Sequence, residues 1–330
     1  MLQPPSANSQ AATPGARNTP GVAIGRRQFL KAGGMGGCLI GGLALGGDSR
    51  AAGPFRLRYI LASSLYGRLP LEEILPQVRK AGAEQIDLWP EVHANQREQM
   101  EAMGHDRFAA LLEKHGVRLG MTTRYDLGPF RLAEELRVLH RFGARLVVTG
   151  SRGGKFPPGK GLKEAVEAFV KEMAPQAAAA ERLGITIGIE NHTHALVASE
   201  DSIRWFAEAA RWPSLGIALA PYHLPQDAGR LAALVENLGP KLVHFYAWQY
   251  GKGCFQKLPK AEELLQLPGR GPLDFGPMIA ALHRIGYTGW TEVFMHPVPR
   301  GISILPTAGE VTAEVNRARA YLDRLAAQQG

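Results

Sequence analysis

Cysteine is nearly missing from this chain: 330 residues hold two, Cys38 and Cys254. A disulfide framework is therefore excluded as a source of stability. Acidic side chains are short as well, 30 against 38 lysines and arginines, for a net charge of +8. Most of that excess sits at one end. The first 52 residues carry Arg17, Arg26, Arg27, Lys31 and Arg50 against the single acid Asp48, so the remaining 278 or so have a net charge near +4. Spread over that length, the charge is too mild for a nucleic-acid footprint, and no nucleic-acid partner is expected. Long hydrophobic runs are lacking too. The apolar stretch that ends at Gly47 is short and rich in glycine, a poor membrane span. No nucleotide cofactor is expected.

What is present begins with a separate N-terminal segment, residues 1–52. Residues 1–22 are rich in Pro, Ala, Ser, Gly and Asn and carry no periodic pattern. Gly25-Arg26-Arg27-Gln28-Phe29-Leu30-Lys31 follows, then the weakly apolar run and the small residues Ala51 and Ala52. A basic pair, a modest apolar region and a small-residue exit are the parts of an export signal, and this one resembles the twin-arginine type. It implies cleavage near Ala51 or Ala52, the twin-arginine export machinery as a partner, and a periplasmic location.

Residues 53–330 alternate strand-like and helix-like patterns. Strands are expected at 58–62, 85–89, 117–123, 144–150, 185–190, 215–220, 241–248 and 289–296. Helices are expected at 70–81, 95–115, 132–142, 161–183, 202–210, 227–238 and 272–285, with a closing helix at 308–327. Eight such units in one segment without an internal linker predict an α/β fold, a single (β/α)8 TIM barrel, which takes about 250 residues. The longest irregular stretch, 249–271, follows the seventh strand on the face where such barrels place their chemistry.

The stretch 185–194, Ile-Thr-Ile-Gly-Ile-Glu-Asn-His-Thr-His, concentrates that chemistry. Isoleucines alternate with Thr186, Gly188 and Glu190, so Glu190 closes a strand, and an amide and two imidazoles follow. Alternation also places His244, Tyr246 and Trp248 on one face of the seventh strand, and Glu292, Phe294 and His296 on one face of the eighth. If those faces point inward, Glu190, His192, His223, His244, Glu292 and His296 share the barrel mouth. The plain alternative for each imidazole is barrel packing, and for Glu190 a structural role at the mouth. Trp89, Tyr222, Tyr246 and Trp248 offer aromatic faces that stack on a sugar ring. Arg124, Arg152, Lys155 and Arg300 also fall near strand ends, where they could neutralise an anionic substrate, though a solvated loop cation is the simpler reading for each.

Four motifs now stand in order: Glu190-Asn191-His192, Leu219-Ala220-Pro221-Tyr222-His223, Gly269-Arg270-Gly271-Pro272-Leu273-Asp274-Phe275, and Gly286-Tyr287-Thr288-Gly289-Trp290. Together they resemble the xylose-isomerase-like barrel superfamily of sugar and sugar-phosphate isomerases and epimerases, with AP endonucleases as relatives. The resemblance covers residues 55–325. It implies a divalent metal held after strands five to eight by Glu, Asp, His and Glu. This chain keeps Glu190 but has Ala220, Tyr246 and Phe294 at the other positions. The usual Mg²⁺ or Mn²⁺ site is therefore expected to be missing, and any displaced site built on Glu190 and imidazoles would suit Zn²⁺ or Fe²⁺ better.

The resemblance implies proton transfer next to a sugar carbonyl, by an isomerase, an epimerase or a related lyase, on a small unphosphorylated carbohydrate. Glu190, His223, Glu292 and His296 are the catalytic candidates. Trp89, His192, His244, Tyr246 and Trp248 are the substrate-binding candidates, and Glu190 is the one metal candidate. The alternatives are a non-catalytic sugar-binding barrel and an AP-endonuclease-like phosphodiesterase, against which Ala220 and Phe294 argue. Oligomeric state leaves no trace in the sequence.

Overall fold

The computed structural model describes residues 55–329. The N-terminal segment read above as an export signal, with its cleavage point, lies outside the described residues. In chain order the elements are β1 (Arg58–Ala62), α1 (Leu71–Lys80), β2 (Gln85–Leu88), α2 (Gln96–Met103), α3 (His105–His115) and β3 (Arg118–Thr123). Then come α4 (Ala133–Arg141), β4 (Leu146–Gly150), α5 (Lys160–Glu172), α6 (Ala174–Arg182), β5 (Thr186–Glu190), α7 (Glu200–Ala209) and β6 (Leu215–Leu219). The chain ends with α8 (Ala228–Leu238), β7 (Leu242–Ala247), α9 (Lys260–Glu263), α10 (Gly276–Arg284), β8 (Trp290–Val293) and α11 (Ala308–Ala327).

The strands close into a parallel barrel in sequence order, with β8 hydrogen-bonded back to β1. Parallel neighbours need a crossover, and the intervening helices supply it. Each helix buries one stripe against the barrel. In α1 the stripe is Leu71, Ile74, Leu75 and Val78, at the spacing of one helical face. The isoleucines of β5, Ile187 and Ile189, are buried, as is the alternate residue Glu190. Fully burying one such apolar side chain contributes roughly 1.5–3 kcal/mol.

Three sequence expectations are corrected. The helix expected over 95–115 is two, because Gly104 takes φ 84° between α2 and α3, a conformation that suits only glycine. The helix expected over 161–183 breaks at Met173, where Pro175 lacks an N–H and its ring crowds the preceding turn. The stretch 249–271 is not wholly irregular, since α9 and a 3-10 turn at Leu264–Gln266 fold inside it. The closing helix α11 packs on α1 and α10. It starts with a capping box in which Thr307 and Glu310 satisfy each other's backbone N–H groups. Among the described residues no helix is long and apolar enough to cross a membrane.

Candidate functional site

Three strands feed the barrel interior with residues two apart, each pair stepping toward the C-terminal mouth. β2 contributes Asp87 and, just beyond its end, Trp89. β7 contributes His244 and Tyr246, with Trp248 following, and β8 contributes Glu292, with Phe294 and His296 following. Asp87, His244 and Glu292, the deepest of these, are fully buried.

That deepest group is polar. His244 Nε2 approaches Glu292 Oε2 to 2.9 Å without the alignment of a hydrogen bond, and the Thr123 hydroxyl donates to Asp87 at 2.7 Å. Burial pushes the carboxyls of Asp87 and Glu292 well above the ordinary carboxylate range, and their mutual repulsion raises Asp87 further. Burial drops His244 to about 3. Burial thus favours the uncharged form of all three groups.

Above it lies an aromatic tier. Trp89 stacks on Phe294 with ring centroids 4.9 Å apart, and Tyr246 and Trp248 approach Phe294 at 5.3 and 5.0 Å. Tyr222 stacks on Trp248 at 3.9 Å. The expected aromatic face at the mouth is thus present, in a packed set.

Glu190, at the end of β5, is 3% exposed. Burial raises its carboxyl to about 8, with the repulsion of Glu292 and Asp87 adding and the Tyr125 hydroxyl opposing. His223 Nε2 lies 3.7 Å from Glu190 Oε1, and the Nδ1 of the same ring is bonded to the Thr193 hydroxyl at 2.9 Å. The hydroxyls of Tyr125 and Tyr246 and the Nε2 of His223 are buried without a hydrogen-bond partner. Buried polar groups are otherwise almost always bonded, so these orphans mark a place for a polar ligand.

Imidazoles crowd the mouth. The rings of His192 and His223 lie 4.1 Å apart, and His93 stacks on His296 at 4.5 Å. Burial holds all four below the ordinary histidine range, His93 at about 4 and His223 at about 2. The positive charge of Arg300 depresses each of them further.

Buried amides fix this frame. Asn191 clamps the end of β6 to that of β5, accepting from Ala220 N at 2.8 Å and donating to Ala220 O at 3.0 Å. Gln266 accepts from the Trp248 indole at 3.0 Å and donates to His296 O at 2.9 Å. Arg124 and Arg152 are tied up by Asp126, Glu135 and Glu172, and Lys155 is exposed.

The structure therefore gathers Glu190, His192, His223, His296, Tyr246 and Trp248 with Trp89 around the mouth. Glu292 and His244 lie beneath the aromatic tier, inside the barrel as alternation required but below Glu190. Sequence reading missed Asp87, His93, Tyr125, Asn191 and Gln266. The first belongs to an alternation that was legible in Gln85-Ile86-Asp87-Leu88-Trp89, whereas His93 and Tyr125 sit in loops without periodicity.

Whether the mouth suits a metal is a question of donors. At the four positions that hold a metal in the resembled barrels stand a carboxyl raised to about 8, a methyl, a phenol pushed well up by burial, and a phenyl ring stacked on Trp89. The methyl and the phenyl ring have no donor atom, which leaves one carboxyl and one phenol where a hard cation needs several oxygen ligands. Among the described residues no three His, Cys, Asp or Glu side chains converge to hold an ion. The residues do not fit that site.

A cavity of about 270 Å³ lined by Trp89, His93, Thr123 and Tyr125 opens on this face. A larger one, about 620 Å³, opens at the opposite end of the barrel beside Arg58, Gln85, Arg118 and Trp290, the first residues of their strands. Chemistry in such barrels gathers at the other end.

Solved structures share this architecture at low identity. An IolI protein with a bound zinc atom superposes with a TM-score of 0.63 at 16% identity, over 81% of this chain and 98% of its own. An L-ribulose 3-epimerase gives 0.62 at 15%, over 83% and 96%. D-psicose 3-epimerase from Clostridium cellulolyticum H10, solved with D-tagatose, gives 0.60 at 16%, over 82% and 99%. At these identities the likeness speaks for the fold alone. No curated protein matches the sequence. The family described as xylose isomerase-like TIM barrel matches residues 75–314, most of the described chain. The closed eight-stranded barrel and this match agree, and the chain belongs to the xylose isomerase-like TIM barrel family.

Proposed function

We propose that this protein is an isomerase- or epimerase-type enzyme that moves a proton next to a sugar carbonyl, with Glu190 as the proton carrier. One observation carries the reading: a buried carboxyl at the strand ends, raised to about 8, facing orphaned hydroxyls and an orphaned imidazole nitrogen. A carboxyl tuned toward neutral pH suits proton transfer in both directions. In its ionised form Glu190 takes the proton from the carbon beside the carbonyl. The C–H electron pair moves into an enediolate, and its oxygen is met by a phenol. The Tyr125 and Tyr246 hydroxyls keep their protons because burial raises both well above the usual range, so they donate. Return of the proton by Glu190 to the neighbouring carbon on the same face, with a phenol passing the hydroxyl proton between the two oxygens, gives an isomer, whereas an epimer requires a second acid to protonate the opposite face. The His223 ring, set by Thr193, holds its free Nε2 3.7 Å from the carboxyl, where a bound hydroxyl could bridge the two. No step is assigned to a metal.

The epimerases that share the fold support a carbohydrate ligand. The test is solvent exchange: ketoses and aldoses are incubated with the protein in D2O, and the C–H signals beside the carbonyl are followed by NMR. We expect exchange whose rate rises with pH to a plateau above about 8, as Glu190 ionises. Undiminished exchange in Glu190→Gln would reject the assignment. Saturable sugar binding without exchange would instead make this a non-catalytic sugar-binding barrel.

Export belongs to the same proposal. Arg26 and Arg27, the apolar run and Ala51-Ala52 support a periplasmic protein carried by the twin-arginine route. Replacing both arginines by lysine is expected to stop secretion, and mass spectrometry of the secreted chain is expected to find residues 1–50 removed. Secretion of the double variant at the normal level would reject the route.

A further inference from the structure

We propose that the mouth carries an anion subsite centred on Arg300, and that the substrate is accordingly a sugar acid bearing a carboxylate. The inference rests on the carbohydrate reading above and narrows its substrate class.

Arg300 follows β8 and is half-buried. Its Nη1 donates to Pro297 O at 2.8 Å and its Nη2 to Cys254 Sγ at 3.1 Å. Neither partner is an anion, and no carboxylate lies within ion-pair distance among the described residues. Most other cations of this face are matched, Arg68 by Glu91, Arg124 by Asp126 and Glu135, Arg152 by Glu172, Lys252 by Glu262 and Lys260 by Glu263, while Lys155 and Lys257 lie exposed on loops. A half-buried guanidinium with only neutral partners keeps N–H groups free for an anion.

Its position is set from two sides. Cys254 is bonded to the Tyr222 hydroxyl at 3.0 Å, and Tyr222 stacks on Trp248, whose ring lies 5.2 Å from both His223 and His296. The guanidinium is thus tied to the wall that carries His223 and His296, near enough to depress four imidazoles. His296, buried and without a side-chain hydrogen bond, completes the wall.

Charge counting selects the ligand. Burial disfavours charge on the imidazoles and on the Glu190 carboxyl, which leaves the Arg300 guanidinium as the cation built into this wall. The nearby acids Glu91 and Asp126 are each neutralised by an arginine. One planar cation with free N–H groups matches one carboxylate, which it takes through parallel hydrogen bonds. A phosphate dianion would call for a second cation.

The test compares ligands that differ at one carbon. Binding of D-glucuronate and D-galacturonate, of D-glucose and D-galactose, and of D-glucose 6-phosphate is measured by calorimetry at low salt and at neutral pH. At least one uronate is expected to bind tenfold or more tighter than its neutral counterpart. That preference is expected to vanish in Arg300→Gln and to persist in part in Arg300→Lys, with unchanged thermal unfolding showing that both variants fold. Equal affinity for uronate and neutral sugar, or a preference unmoved in Arg300→Gln, would overturn the subsite while leaving the proton-transfer reading intact. Tighter, Arg300-dependent binding of the 6-phosphate would overturn the carboxylate assignment. Failure of every sugar, charged or neutral, to bind would overturn the carbohydrate reading and the subsite with it.

Discussion

Glu190 ties activity and stability together with opposite signs. In an unfolded chain its carboxyl titrates near 4.5, and in the folded protein at about 8. Between those values the folded protein holds a proton that the unfolded chain has lost. The stability linked to this group is therefore complete below pH 4.5 and declines as pH rises toward 8, by roughly 1.4 kcal/mol per unit. Glu190→Gln keeps the shape and removes the titration. We expect it to lose proton-transfer activity by 100-fold or more, about 3 kcal/mol in the barrier, while melting at a higher temperature than the wild type at pH 8 and at a similar one at pH 4. A melting temperature lowered at both values would mean that the carboxyl is held by contacts the geometry does not contain. Asp87 and Glu292 follow the same sign, both being raised by burial, so Glu292→Gln is likewise expected to flatten the fall of stability with rising pH. Melting curves taken across pH 4 to 9 would show it.

Helix ends and strand-end clamps set the next scale. Gly104 sits at φ 84° and ψ 148°, and a Cβ built there meets nothing within 4 Å. The cost of Gly104→Ala is therefore backbone strain alone, about 1–3 kcal/mol, read as a lower urea midpoint with an unchanged slope. Thr307→Ala removes the cap of α11 and is expected to cost about 1 kcal/mol, read again as a lower urea midpoint. Asn191→Ala differs from both. It frees Ala220 N and O, which are otherwise locked to the end of β5, and leaves them buried. We expect activity to fall more than stability predicts, because the strand end that carries Glu190 and the turn that carries His223 lose their common anchor. An Asn191→Ala variant with full activity would show that β5 and β6 hold their ends in register without it.

Across the whole molecule, the barrel is closed by β8 pairing with β1, at registers such as Ile60 with Glu292, and α11 covers the seam against α1 and β8. Every described element belongs to that closed body. A chain starting at residue 53 is thus expected to unfold in one cooperative step with the helix content of the full chain, as far-UV circular dichroism would show. A second transition in the full-length protein alone would mean that the N-terminal segment folds as well.

The sequence alone was enough to determine the number and order of the strands, the family, and the placement of Glu190 at the end of the fifth, because alternation and helical spacing are local and repeat along the chain. His244 and Glu292 could be assigned to the interior on the same ground. Their depth could not, since it depends on how far each strand rises through the tilted barrel before its neighbour's side chain caps it. Only the folded structure shows Phe294 stacked over that level and Asp87 brought to Glu292 from 205 positions away. The two helix breaks escaped for the opposite reason: Gly104 and Pro175 were visible, but an amphipathic stripe ran past each and outweighed it. Arg300 shows the limit most plainly. In the sequence it stands among several loop cations beside strand ends, and only the folded barrel sets its guanidinium half-buried against Pro297 O and Cys254 Sγ, with no carboxylate in reach among the described residues.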